Sequence, residues 1–146
     1  MSEIHVGEIQ EQRHEHRVGA GPWRLHPIDW YHTVHAAAHR LSAATRRNPG
    51  CSHHLYIVLL GGFGPKEDEF GLYVGETMYK PENRLVQHLN GYKASRIVKK
   101  RGICLLPSLY AHLNPLHRAN AQELEPKFKE IFIAVGIPER LVKGGH

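Results

Sequence analysis

The hydrophobic positions of this chain predict four helices. In residues 27–47 the apolar side chains recur at helical spacing and form one face, made of Trp30, Val34, Ala37, Ala38, Leu41 and Ala44. The segment PENRLVQHLNG opens with Pro81 and closes with Asn90 and Gly91, as a short helix does. KASRIVKKRG and RANAQELEPKFKEIFIAV are also helical in pattern, and the second of them contains Pro126, which is expected to bend or end it.

Three apolar segments predict strands. HHLYIVLL is rich in β-branched and apolar residues, and the turn-forming stretch GGFGPKEDE connects it to FGLYVGET as a hairpin. ICLLPSLYAHL predicts a third strand that Pro107 interrupts. These elements predict an α/β (α+β) fold with a small, mainly antiparallel three-stranded sheet flanked by helices. We assign the domain to residues 51–146, preceded by an N-terminal arm and helix extension in residues 1–50.

The hairpin pattern predicts that two tyrosines share one side of the sheet. If Leu59 pairs with Phe70, an antiparallel register places Tyr56 directly opposite Tyr73. The loop length is the only basis for that register. Both phenols would then face the helix that follows the hairpin.

A concentration of basic residues follows the hairpin. The 146-residue chain has a formal net charge of +5 and a pI of about 9.4, which favours an acidic partner such as nucleic acid. Between residues 80 and 101 seven basic residues face one acidic residue, Glu82. Contacts with a nucleic-acid backbone are predicted for Lys80, Lys93, Arg96, Lys99, Lys100 and Arg101.

The order of the polar residues resembles the GIY-YIG nuclease family. A tyrosine in LY is followed by YVGET and then by RLVQH, with the resemblance covering roughly residues 53–133. The matching positions are Tyr56, Tyr73, Thr77, Arg84 and His88. This resemblance implies a divalent-metal-dependent endonuclease that hydrolyses phosphodiester bonds in DNA, and it leaves RNA open as a substrate. Thr77 is assigned to nucleic-acid binding together with the basic residues.

The family also has a helical glutamate that binds the metal. The AQELE segment followed by Phe128 matches that pattern at Glu125, with Glu123 as the second candidate because Pro126 departs from the family sequence. His54 is a further departure, since the family has glycine there. The resemblance therefore implies Mg²⁺ or Mn²⁺ at Glu125, and a single carboxylate suits magnesium, which keeps most of its waters.

Each of these residues has a chemical role in the hydrolysis of a phosphodiester bond. Arg84 carries a charge that it cannot lose, and would stabilise the charge developing on the phosphate. Arg84 and His88 are four residues apart on one helix face, so both could point at the phenols. By resemblance, Tyr73 is the general base and Tyr56 the orienting partner, while His88 hydrogen-bonds a tyrosine or the phosphate. A phenol titrates near about 10 and needs nearby positive charge to act as a base at neutral pH.

Two other functions stay open. A nucleic-acid-binding module of the same fold without cleavage is compatible with His54 and Pro126. The thirteen histidines, with His32, His35 and His39 at helical spacing, also allow a histidine-rich zinc-binding or partner-binding protein. A surface or interface stripe explains those three residues better, because HAAAH lacks the glutamate of a zinc protease.

The remaining features concern compartment and assembly. The two cysteines form no C-x-x-C pair, and the longest apolar run is too short for a membrane span. The N-terminus lacks the apolar centre of a signal peptide, so we expect a cytoplasmic protein without a membrane partner. A homodimer is a possible assembly, because two-fold symmetry suits cleavage of both strands of a palindrome.

Overall fold

The computed structural model describes residues 30–41 and 51–145. The helices in this part of the chain are α1 (Tyr31–Ala38), α2 (Pro81–Leu89), α3 (Arg96–Arg101) and α4 (Arg118–Ala134). The strands are β1 (His54–Phe63), β2 (Glu69–Thr77), β3 (Gly102–Leu105) and β4 (Val142–Gly144). Short 3₁₀ turns lie at Pro107–Leu109, Ala111–Leu113 and Glu139–Leu141. The predicted arm before residue 30 lies outside the described residues. Within them, no helix has the length and apolar character needed to cross a membrane.

The strands form one mixed sheet in the order β3-β1-β2-β4. β1 is antiparallel to both β2 and β3, whereas β4 is parallel to β2. The mixed helix and strand composition is confirmed, but the prediction of a three-stranded sheet is wrong because β4 adds a fourth strand. β4 is only three residues long, too short for an alternating pattern to identify it.

The register of the β1–β2 hairpin also differs from the prediction. Tyr56 pairs with Gly75 rather than with Tyr73, and Leu59 pairs with Leu72. The error arose because the stretch GGF was counted as loop, whereas β1 continues to Phe63 and the connecting loop is residues 64–68. A shift of two residues keeps every side chain on its predicted face, so both tyrosines still lie on one side of the sheet.

The predicted helices are present with changed ends. α2 begins at Pro81 and α3 covers the RIVKKR segment, as expected. α4 continues across Pro126 without ending, and the proline side chain is exposed. The first helix was expected to extend beyond Ala38, where α1 ends, and residues 42–50 lie outside the described part of the chain.

The core lies on both faces of β1. Residues 55–60 of this strand are all buried, and Val34 and Ala38 of α1 join the same hydrophobic cluster. Where β3 no longer covers β1, the Asn114 side chain takes the place of a strand. Its Oδ1 accepts from the Leu55 N–H at 2.9 Å and its Nδ2 donates to the Leu55 carbonyl at 2.7 Å.

Candidate active site

The side chains predicted to be catalytic come together from four elements. Tyr56 lies on β1, Tyr73 on β2, Arg84 and His88 on α2, and Glu125 on α4. All except the half-buried Arg84 are buried. The Tyr56 and Tyr73 ring centroids are 6.0 Å apart, and the His88 ring is 5.9 Å and 5.8 Å from them. These three rings form a compact triangle on one face of the sheet.

Hydrogen bonds fix the orientation of His88. Its Nδ1 accepts from the Ser95 backbone N–H at 3.0 Å, and its Nε2 is 2.8 Å from the Tyr56 hydroxyl. Burial, followed by the Arg84 charge, lowers the pKa of His88 to about 4. The imidazole is therefore neutral at pH 7 and, because Nδ1 accepts, its proton is on Nε2. His88 thus donates to Tyr56, whose own O–H stays available as a donor.

Gly75 makes room for this contact. A Cβ atom at Gly75 would lie 2.5 Å from both the Tyr56 hydroxyl oxygen and its ζ carbon. The Tyr56 ring therefore lies against the backbone of its pairing partner and reaches across β2. Any larger residue at this position would force the ring away.

Both phenols resist ionisation in the protein. Burial raises the pKa of Tyr56, the neighbouring Tyr73 raises it further, and Arg84 opposes them. Burial also raises the pKa of Tyr73; Glu125 adds to this, whereas Tyr56, Ser95 and Arg84 oppose it. Each tyrosine is consequently protonated at neutral pH. Additional positive charge is needed before either can accept a proton.

Arg84 is held at the edge of the site by the loop after α2. Its Nη1 donates to Gln87 Oε1 at 3.0 Å and to the Tyr92 carbonyl at 3.2 Å. Its Nη2 donates to the Lys93 carbonyl at 2.8 Å. A guanidinium fixed in this way presents its charge in one orientation.

Glu125 faces Tyr73 at the end of β4. Its Oε1 accepts from the Gly145 backbone N–H at 3.1 Å. A Cβ atom at Gly145 would lie 3.2 Å from the Tyr73 hydroxyl and 3.7 Å from Glu125 Oε1. The alternative Glu123 is exposed and forms an ion pair with Lys127 at 3.2 Å. Burial beside Tyr73 therefore favours Glu125 as the carboxylate of the site.

Glu125 is the one carboxylate among the five side chains that come together at the site. No group of three or more histidine, cysteine, aspartate or glutamate side chains that could hold a metal occurs in residues 30–41 and 51–145. Magnesium and manganese accept oxygen ligands and often bind through one or two carboxylates, keeping several waters. The donor type of Glu125 fits such an ion.

The predicted nucleic-acid-binding residues fall into two groups. Most of the cations are exposed, namely Lys80, Lys93, Arg96, Lys99 and Lys100. Arg101 instead packs into the fold. Its guanidinium donates to the Gly61 carbonyl at 3.3 Å and to the Gly62 carbonyl, and it lies 4.7 Å from the Phe63 ring centroid.

Thr77 ends β2 at the entrance to α2. It is buried, and its hydroxyl oxygen accepts from the Tyr79 N–H at 3.0 Å. His54 lies opposite Thr77, and burial is the main cause that lowers its pKa. The His54 Nδ1 atom is buried without a hydrogen-bond partner.

His39, the residue directly after α1, packs against another part of the fold. The His35 and His39 ring centroids are 4.4 Å apart, and His39 stacks on His112 at the same distance. His39 Nε2 donates to the Ser108 carbonyl at 2.7 Å. These contacts join α1 to the 3₁₀ turns that follow β3.

Sequence reasoning missed three groups that support the site. Ser95 was visible only as a residue before a predicted helix, yet its N–H holds His88. The Gly145 amide and the loop carbonyl of Tyr92 act through the backbone. Backbone groups have no residue-specific signal, so a pattern of side chains could not have identified them.

Comparisons of the chain with protein-family models, with curated proteins and with solved structures found no match.

Proposed function

We propose that this protein is a divalent-metal-dependent endonuclease of the GIY-YIG type that hydrolyses phosphodiester bonds in DNA. The observation that carries the proposal is the convergence of Tyr56, Tyr73, Arg84, His88 and Glu125 from four separate elements. The antiparallel part of the sheet, β3-β1-β2, agrees with the fold that the resemblance implies, and β4 is an addition to it.

Arg84 binds the phosphate in this proposal. Its guanidinium is half-buried at the edge of the site and is oriented by two loop carbonyls and Gln87. A fixed cation stabilises the charge that develops on the phosphate oxygens without having to reorganise. Its charge also favours ionisation of both tyrosines.

The two tyrosines have different roles. Tyr56 accepts a hydrogen bond from His88, so its own proton can orient the attacking water. Tyr73 lies next to Glu125 and, once its own proton has been released to solvent, its phenolate would take the proton from that water. Glu125 would hold Mg²⁺ or Mn²⁺, which would supply positive charge beside the phosphate and would lower the pKa of Tyr73.

A non-cleaving nucleic-acid-binding module of the same fold is the second candidate. The burial of Glu125, whose exposed fraction is 2%, favours it, because a metal with several waters needs room around the carboxylate. Such a module would bind DNA through the exposed cations and give no metal-dependent products.

The test is incubation of the purified protein with plasmid and with single-stranded, branched and duplex oligonucleotides, with Mg²⁺ or Mn²⁺ against EDTA. Arg84→Ala is expected to reduce cleavage roughly 100-fold to 1,000-fold, since one transition-state donor contributes about that much. Arg118→Ala changes an exposed arginine on the first turn of α4 and should leave cleavage unchanged. Products in EDTA, or equal cleavage by the Arg84 variant, would reject the proposal.

A further inference from the structure

Large apolar side chains are exposed mainly around α2. In residues 30–41 and 51–145, six such side chains are exposed, and five of them fall between residues 78 and 92: Met78, Tyr79, Val86, Leu89 and Tyr92. The sixth, Ile133, is on α4. These five side chains make residues 78–92 the candidate binding surface of the described chain.

Tyr92 occupies a fixed position on this surface. Its N–H donates to the Gln87 carbonyl at 2.9 Å, and its carbonyl accepts from Arg84 at 3.2 Å. Positive φ angles at Gly91 and Lys93 turn the chain sharply on either side of it. The ring is nevertheless 52% exposed. The exposed ring thus belongs to a residue whose backbone carbonyl contacts the guanidinium of the candidate site.

The charge around Tyr92 selects the kind of partner. Residues 78–101 contain seven basic residues and one acidic residue, and Lys93 Nζ lies 5.7 Å from the Tyr92 ring centroid. An uncharged protein surface would cover these cations without pairing them. A DNA duplex pairs them but keeps its bases stacked on one another. A single strand supplies both phosphates for the cations and an unpaired base for the ring.

We propose that Tyr92 stacks on an unpaired base adjacent to the phosphate bound at Arg84, so that the substrate contains single-stranded nucleic acid. The inference rests on the proposed function, because it takes Arg84 as the phosphate-binding group. Tyr92 is a substrate-selecting residue in this arrangement. Lys93 and the exposed cations of α3 follow the strand away from the ring.

The test measures binding in EDTA, where no cleavage occurs, of fluorescently labelled oligothymidylate and of a mixed-sequence duplex. Tyr92→Ala is expected to weaken binding of the single strand about 5-fold to 150-fold, since stacking contributes about 1–3 kcal/mol per base. Tyr92→Trp keeps a stacking face and should retain the affinity. Duplex affinity should change less than about twofold. Ile133→Ala is the matched control, because Ile133 is an exposed apolar residue elsewhere.

Unchanged single-strand affinity in Tyr92→Ala, or equal weakening for single strand and duplex, would overturn the inference. So would a dimer in sedimentation velocity that dissociates in a Val86→Ser, Leu89→Ser variant, because the surface would then join two copies of the chain. If the protein cleaves DNA but its binding does not depend on Tyr92, the stacking inference is rejected and the nuclease proposal stands. Tyr92-dependent binding without metal-dependent cleavage supports stacking and rejects the nuclease.

Discussion

The Tyr56 ring lies against the backbone of Gly75, its direct partner across the β1–β2 hairpin. A methyl group at Gly75 would be 2.5 Å from the Tyr56 hydroxyl oxygen. We therefore expect Gly75→Ala to push the ring away from His88, to lower the free energy of unfolding by about 1–3 kcal/mol and to reduce cleavage at least about tenfold. Urea denaturation and initial cleavage rates measure the two effects.

A double-mutant cycle isolates the cause of that effect. In a Tyr56→Ala background the added methyl group meets no ring, so Gly75→Ala should then cost little stability. Equal costs in the two backgrounds would mean that Gly75 is required for another reason.

His88 makes the stability depend on pH. Its pKa is about 4 in the folded protein against 6.5 for a free imidazole, so the unfolded chain takes up the proton first as the pH falls. Stability is expected to be full above about pH 6.5, to fall as the pH drops towards about 4 and to level off below that. The measurement is urea denaturation across this range, with His88→Gln beside the wild type.

The Gln variant should show a flatter curve over the same pH range. The other histidines are common to both proteins and cancel in the comparison. Parallel curves would show that His88 takes up its proton equally well in both states.

Tyr56 is expected to titrate late. Burial raises its pKa above the ordinary value of 10, so Tyr56 should still be protonated near pH 10 in the folded protein. The phenolate absorbance of the wild type and of Tyr56→Phe should therefore be equal at that pH. The same substitution leaves the buried Nε2–H of His88 without its acceptor, which costs about 1–3 kcal/mol at neutral pH. A phenolate signal near pH 10 that disappears in the variant would contradict the burial effect.

The exposed and the packed cations should respond differently to substitution. Replacing Lys99 and Lys100 with alanine should leave stability unchanged and reduce the salt dependence of DNA binding by about one ion per lysine. Arg101→Ala should lower stability, because its guanidinium holds the Gly61 and Gly62 carbonyls. Titration of DNA affinity against salt, with a thermal melt of each variant, separates these outcomes. An unchanged salt slope in the lysine variant would exclude that pair from the binding surface.

Side-chain patterns predicted the faces of the sheet but not its pairing. The two-residue period of β1 and β2 put Tyr56 and Tyr73 on one side whatever the register, since a slip of two preserves the face. The register itself depends on where the hairpin turns. Gly61 and Gly62 have the composition of a loop, but they belong to β1. Local composition does not determine such a choice.

Long-range backbone contacts were equally beyond prediction. β4 forms because three residues pair with β2, and Gly145 then reaches Glu125. Pro126 was expected to disrupt α4, but the helix continues because tertiary packing on either side outweighs the lost hydrogen bond. The buried neighbours Leu124, Glu125 and Phe128 show that packing.

The Asn114 amide that pairs with Leu55 has a consequence for the behaviour of the protein at high concentration. β3 leaves the first half of β1 without a neighbouring strand, and an open edge of this kind recruits strands from other molecules. The Asn114 side chain hydrogen-bonds both the N–H and the carbonyl of Leu55, and the Leu106 N–H donates to the Ile57 carbonyl at 3.0 Å. The segment after β3 thus protects the most apolar of the four described strands from aggregation.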